Sequence, residues 1–192
     1  MIDLIDYCHR TLVGWIAARR SHVAAGGHPD LRHLDVDHVA DTLTLRCIAI
    51  LRYVAGHCDA LSHTVTSRML TTTDVPALVV ELIQRRPWVR HLADNRYQLY
   101  DNGHWRACHG HPEADDSGQM HPVAAHLWLL LVTLLMSPVA PAKYPLNEQR
   151  CRQLLKVNFI ILNNLFIAKY LHTTIIGYLF EILLLLFFDE IY

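Results

Sequence analysis

Six residues in one part of this chain, His104, Cys108, His109, His111, His121 and His126, carry the side chains that bind transition metals. Thiolate and imidazole suit Zn²⁺, and a Cys-His-x-His run in a loop could hold the ion if a fourth ligand converged. Zinc sites usually present their ligands as two spaced pairs on rigid turns, whereas the segment from His109 to His121 is rich in Gly, Pro and Asp. The chain carries 14 histidines in all and has no C-x2-C pair, so the plainer reading is a histidine-rich loop without a resident cofactor. A second candidate chemistry is nucleophilic, since Cys8 stands beside His9 and Cys58 beside Asp59. Adjacent residues of a helix point about 100° apart, so neither pair faces itself, and these cysteines are expected to serve as small apolar core residues. No G-x-S-x-G, HExxH, P-loop or GxGxxG pattern occurs, which leaves hydrolase, metalloprotease and nucleotide-binding readings without support and points to a protein that is not an enzyme. A third candidate is recognition: Arg85, Arg86 and Arg90 surround Trp88, a pairing of residue types frequent at interface hot spots and suited to an acidic partner peptide. The alternative for that group is that Trp88 closes a helical core while the arginines are solvated.

The elements that must position these groups read as helical. Leu4, Ile5, Cys8, Leu12, Trp15 and Ile16 fall on one helical stripe that stops in a loop containing Gly26, Gly27 and Pro29. From about Asp35, a possible N-cap, a second series runs through Val36, Val39, Leu43, Cys47, Ile50, Leu51 and Val54 to roughly Gly56. Leu61, Val65 and Met69 predict a short helix ending near Leu70. Asp74-Val75-Pro76 then opens another, with Asp74 as N-cap and Pro76 in the first turn, where its missing donor costs nothing. The last three of these four helices together have the size and layout of an armadillo-type repeat.

After Trp88 the period changes: Tyr97 and Leu99 alternate with polar residues, Asn102-Gly103 follows, and Trp105 and Ala107 resume the alternation. Asn and Gly tolerate the positive φ angles of a type I′ turn, so a β-hairpin is expected near 96–108, followed by a mobile loop over 109–121. Val123, Leu127, Leu130, Leu131, Leu134 and Leu135 predict a further helix, Pro138, Pro141 and Pro145 punctuate the next connection, and Asn147 can cap a helix through Leu154 and Leu155. The expected fold class is all-α, an armadillo/HEAT-like helical-repeat fragment over 1–157 with a small hairpin inserted.

Composition narrows the function classes. Lys plus Arg number 17 against 18 for Asp plus Glu, so no basic field draws nucleic acid. Five unpaired cysteines fit a reducing cytoplasm, and Asp3, Asp6 and Arg10 interrupt any secretory leader at Met1. From Asn158 the composition shifts abruptly to Ile, Leu and Phe. The stretch 160–188 has the length of a membrane span but is broken by Asn163, Asn164, Lys169, His172 and Glu181. A charge at the bilayer centre costs about 2.5–3.5 kcal/mol, so a membrane protein anchored by this tail is the alternative reading rather than the first.

Several blocks in order carry a resemblance: LIDYCHRTL from Leu4, ILRYVAGHCDALS from Ile50, SRMLTTTDVPALVVELI from Ser67, RRPW from Arg85 and LWLLLVTLLMSPVAPAKY from Leu127. Together, from about Leu4 to about Lys156, the chain resembles the middle of the MYND zinc-finger family of axonemal dynein arm assembly factors. The resemblance implies a non-catalytic, co-chaperone-like scaffold. Such a protein acts in the cytoplasm of ciliated cells, near centrioles or the cilium base, on dynein chains, chaperones and other assembly factors. The family's C-terminal zinc finger has no counterpart here, because no Cys/His pairs match its ligands. The tail 158–192 matches nothing in the family pattern and reads as translated non-coding sequence of a truncated or mispredicted gene product.

Overall fold

The computed structural model describes residues 1–24, 34–58, 60–92, 96–109 and 120–155, with backbone alone at 21–24, 34–38, 91 and 109. The expected Gly26-Gly27-Pro29 loop, nearly all of the loop over 109–121 and the whole apolar tail lie outside the described residues. Among those residues, no helix is long and apolar enough to cross a membrane.

The fold is mostly helical with one small antiparallel sheet. Helices α1 (Ile2–Ala24) and α2 (Leu34–Gly56) lie side by side, α3 (His63–Ser67) runs into a π-helical turn (Arg68–Thr72), and α4 (Val75–Arg85) follows. Strands β1 (Val89–His91), β2 (Arg96–Asp101) and β3 (His104–His109) form a sheet in that order. Helix α5 (Pro122–Leu135), a short α6 (Ala140–Lys143) and a last helical stretch, α7 (148–155), complete the described chain. Four helices close a ring: α1 packs on α2, α2 on α5, α5 on α4, and α4 touches α1. The core lies inside it, with Ile5, Leu12, Ile48, Leu51, Leu82, Leu127, Leu130 and Leu134 almost wholly buried. Helix α4 thus makes its main contacts with α5 and α1 rather than with α2, its neighbour in the expected three-helix unit.

The expected stripe of α1 holds from Ile5 to Ile16, but Leu4 is exposed. In α2 the core face is wider than the expected stripe: Cys47, Leu51 and Val54 are buried as expected and Ile50 packs against the core, but the buried arc extends past them. Asp41, Thr44, Leu45, Ile48, Leu51 and Ala55 face inward, while Val39 and Leu43 stand in solvent. The reason is tertiary: α2 is covered on one flank by α1 and on another by α5, so a broad arc is buried and its outer arc can carry apolar residues too. Asp35 lies inside α2, as its second residue, and not at the N-cap position.

Turn chemistry decides the joints. Ser62 caps α3 by accepting from the Thr64 N–H at 3.3 Å. Asp74 caps α4 by accepting from Ala77 N–H at 3.2 Å, and it does so at φ 38°, a left-handed conformation that Asp tolerates better than most residues. That geometry leaves the carboxylate free for a second task. Its Oδ1 accepts from the Tyr144 hydroxyl at 3.0 Å and its Oδ2 lies 3.6 Å from Arg150 Nη2, so one cap ties α4 to α6 and α7. The hairpin forms as expected, with Asp101 opposite His104 and the two residues between at φ 48° (Asn102) and 90° (Gly103). Strand β1, which pairs Val89 with Leu99 and His91 with Tyr97, has no alternation signal because it is only three residues long.

Replacing Asp74 by Ala is expected to destabilise the chain by about 1–2 kcal/mol in urea unfolding, whereas Asn, which caps and tolerates positive φ, retains most of that stability. An Ala variant as stable as the parent would show that the cap does not hold the three helices.

Candidate protein-interaction site

The four residues expected to meet a partner follow directly from the end of α4. Arg86 terminates the helix in a left-handed conformation, φ 49°, with its N–H bonded to Leu82 C=O, and Val89 N–H bonds back to Arg86 C=O at 2.9 Å, turning the chain into β1. Arg85 is half-buried and its Nε donates to Glu81 Oε1 at 3.0 Å, an oxygen that also accepts from Arg20. Arg86 is half-buried as well. Trp88 is 7% exposed, and its ring lies stacked on His121 with centroids 5.5 Å apart and planes 10° from parallel. His121 Nδ1 accepts from Val123 N–H at 3.2 Å while Nε2 donates to Tyr100 C=O at 2.7 Å, so the imidazole fastens α5 to β2 in one neutral tautomer.

Arg90 turns the other way, into the interior. It is 6% exposed, and its Nε donates to Asp41 Oδ2 at 2.8 Å and its Nη1 to Gln98 Oε1 at 3.2 Å. The guanidinium also lies 4.0 Å above the centre of the Trp105 ring, and Trp105 Nε1 donates to Thr42 Oγ1 at 3.4 Å. The four residues therefore do not share one open surface. Arg85 and Arg86 reach solvent on one side of the turn, whereas Trp88 and Arg90 are spent on holding the sheet to the helices. Neither of the sequence readings describes Arg90, which is neither solvated nor presented to a partner.

The residue that sequence reasoning missed is Asp41. Its carboxylate, 1% exposed, accepts from Trp15 Nε1 at 2.6 Å, from Arg19 Nη2 at 2.8 Å and 3.0 Å, and from Arg90. A usable signal existed, because Asp41 stands on the same helical stripe as Leu45 and Ile48, and a lone acid in register with core positions marks a buried, paired charge.

Among the described side chains, the metal-type residues are dispersed. His104 and Cys108 stand on β3 four residues apart, about 13 Å along a strand, and His126 is exposed on α5. His111 lies outside the described residues, and His121 is engaged as above. Among the described residues no three His, Cys, Asp or Glu side chains stand together to hold a metal ion. Cys8, Cys47 and Cys58 are buried. Cys8 neighbours Cys47 across the α1–α2 contact, and that neighbour, together with burial, pushes the Cys8 thiol well above the usual thiol range.

No family model matches the chain, and no solved structure matches it significantly. A curated relative does. The chain is similar to the zinc finger MYND domain-containing protein 10 homolog of Drosophila melanogaster, at 29% identity over 169 residues. The match covers 82% of this chain and 35% of the relative, so the chain spans about a third of the length of that protein. The resemblance carried by the ordered sequence blocks holds.

Two outcomes follow from this geometry. Asp41→Asn leaves the buried Arg90 without its counter-charge and is expected to cost about 3–5 kcal/mol in chemical unfolding, while the double change Asp41→Leu, Arg90→Met recovers a large part of the loss, since Arg19 can turn to water. A single variant within 1 kcal/mol of the parent, on the order of a surface substitution, would remove Asp41 from this role. His9 supplies a pH dependence: burial holds its pKa below the ordinary 6.5, with Asp6 and Asp74 opposing the shift. Folding disfavours the charged ring, so this contribution is complete above pH 6.5 and is lost as pH falls below it. The urea midpoint is expected to drop between pH 7.5 and 5.5 by less in His9→Gln than in the parent, and equal slopes would refute it.

Proposed function

We propose that the chain is a non-catalytic scaffold in the cytoplasmic preassembly of axonemal outer and inner dynein arms, working through protein–protein contacts with dynein chains, chaperones and co-assembly factors. The observation that carries this reading is the 29% identity to a zinc finger MYND domain-containing protein 10 homolog across 82% of the chain. The helical fold supports it, because a ring of long helices offers extended surfaces for partner proteins. The succession of α2, a short α3 and an α4 that Asp74 caps, with Pro76 in its first turn, supports an armadillo-like unit as the origin of the region. In this reading the protein acts near the base of the cilium, needs no cofactor in this region, and binds partners through side chains such as Arg85 and Arg86.

Removal of the gene product from ciliated cells is expected to leave axonemes without outer and inner dynein arms in electron micrographs, with dynein heavy chains depleted from the cytoplasm. Cilia that keep both sets of arms would refute the reading.

A further inference from the structure

An asparagine side chain is open to attack by the backbone nitrogen of the residue after it, to a degree set by how crowded that nitrogen is. Asn102 is the one asparagine in the sequence followed by glycine; Asn95, Asn147, Asn158, Asn163 and Asn164 precede Arg, Glu, Phe, Asn and Leu. Gly103 carries no side chain to shield its nitrogen. The fold leaves the pair accessible as well. Asn102 and Gly103 form the tip of the β2–β3 hairpin, both are exposed, and the space where a Cβ of residue 103 would stand has no other atom within 4 Å. The flanking Asp101 and His104 are exposed too, so water reaches the turn.

We propose that Asn102 is a site of spontaneous deamidation, and that its isoaspartyl product loosens the hairpin. The Gly103 amide nitrogen gives its proton to hydroxide and bonds to Asn102 Cγ. The Cγ–Nδ2 bond then breaks, Nδ2 takes a proton from water and leaves as ammonia, and a succinimide ring remains. Water opens that ring. Addition at the side-chain carbonyl leaves an aspartate at position 102, whereas addition at the main-chain carbonyl leaves an isoaspartate, whose main chain runs through Cβ and Cγ and is longer by one methylene. The two products differ in what they do to the turn. A two-residue turn fixes the strand register, here with φ 48° at Asn102 and 90° at Gly103. Aspartate fits, because Asp-Gly suits the same turn type. The added methylene of isoaspartate displaces Asp101 from His104, the first rung of the ladder. The next rung pairs Tyr100 with Trp105, whose ring lies under the Arg90 guanidinium at 4.0 Å and whose Nε1 donates to Thr42. The modification therefore reaches the contacts that seat the sheet on α2.

The test ages the full chain in mildly alkaline and mildly acidic buffers, then maps its peptides by mass spectrometry with isoaspartyl methyltransferase labelling. The peptide containing Asn102 is expected to show the amide-to-acid mass change and the methyl label several-fold faster in alkali, while peptides containing Asn95 and Asn147 keep their amides. The isoaspartyl fraction, separated by anion exchange on its added negative charge, is expected to unfold at lower urea than fresh chain. Asn102→Gly, whose Gly-Gly pair also suits the turn, is expected to age without label in this peptide and without loss of stability. Asn102→Asp, measured fresh, is expected to keep the parent's urea midpoint, which separates the added methylene from the added charge. An Asn102 that keeps its amide under conditions that convert a synthetic peptide of residues 98–107 would overturn the proposal. So would an isoaspartyl fraction as stable as fresh chain, or an equal loss of stability in aged Asn102→Gly.

Discussion

The carboxylate of Asp41 is withdrawn from water inside a mostly apolar ring of helices, and that position is tenable only because three donors from two other elements converge on it. Trp15 and Arg19 come from α1 and Arg90 from β1, so the requirement to satisfy one buried charge fixes how α1, α2 and the sheet sit together. Apolar packing alone allows helices to slide by a turn at modest cost, whereas an ion pair at 2.8 Å tolerates little displacement. The same group sets the place of the hairpin, because Arg90 that serves Asp41 also bonds Gln98 and lies against Trp105. Desolvation offsets much of the Coulomb energy of such a pair, so its net contribution to stability is small beside the cost of removing one partner.

Two smaller nodes extend that logic to the rest of the chain. Asp74 turns the end of the π-helical turn into the start of α4 and reaches Tyr144 and Arg150, so the C-terminal helices are referenced to α4 through a cap. His121 joins the sheet to the first turn of α5 and lies flat against Trp88, the residue that closes the turn out of α4. In each case a single polar side chain has two partners from distant parts of the chain, and an apolar core fills the space between the nodes. Among the described residues, the outer face of the α1–α2 pair, where Val39, Leu43 and Tyr53 are exposed, takes no part in these nodes.

Local chemistry was legible in the sequence because its causes are local. The helical period of α1, the Asp74-Val75-Pro76 start, the Asn102-Gly103 turn and the Asn147 cap of the final helix each follow from residues within one or two turns of one another, and each is found where expected. Strand β1 was not legible, because three residues carry no period and its existence depends on a partner strand. The inward face of α2 was misjudged for a related reason: Val39 and Leu43 are as apolar as Leu45 and Ile48, and only the positions of α1 and α5 decide which of them are covered.

The candidate site shows the same division. Residue types around Trp88 marked that segment as special, yet type alone could not say whether an arginine meets solvent, a partner or a buried carboxylate 49 positions away. Sequence by itself determined the long helices, the hairpin, the caps at Asp74 and Asn147 and the resemblance over most of the chain, since propensity, turn chemistry and ordered blocks of residues are properties of short segments. Tertiary structure decided which apolar stripe became core and which stayed exposed, and it made Asp41 the partner of Arg90. Burial and charge pairing depend on distances between segments, and the chain sets those only once it has folded.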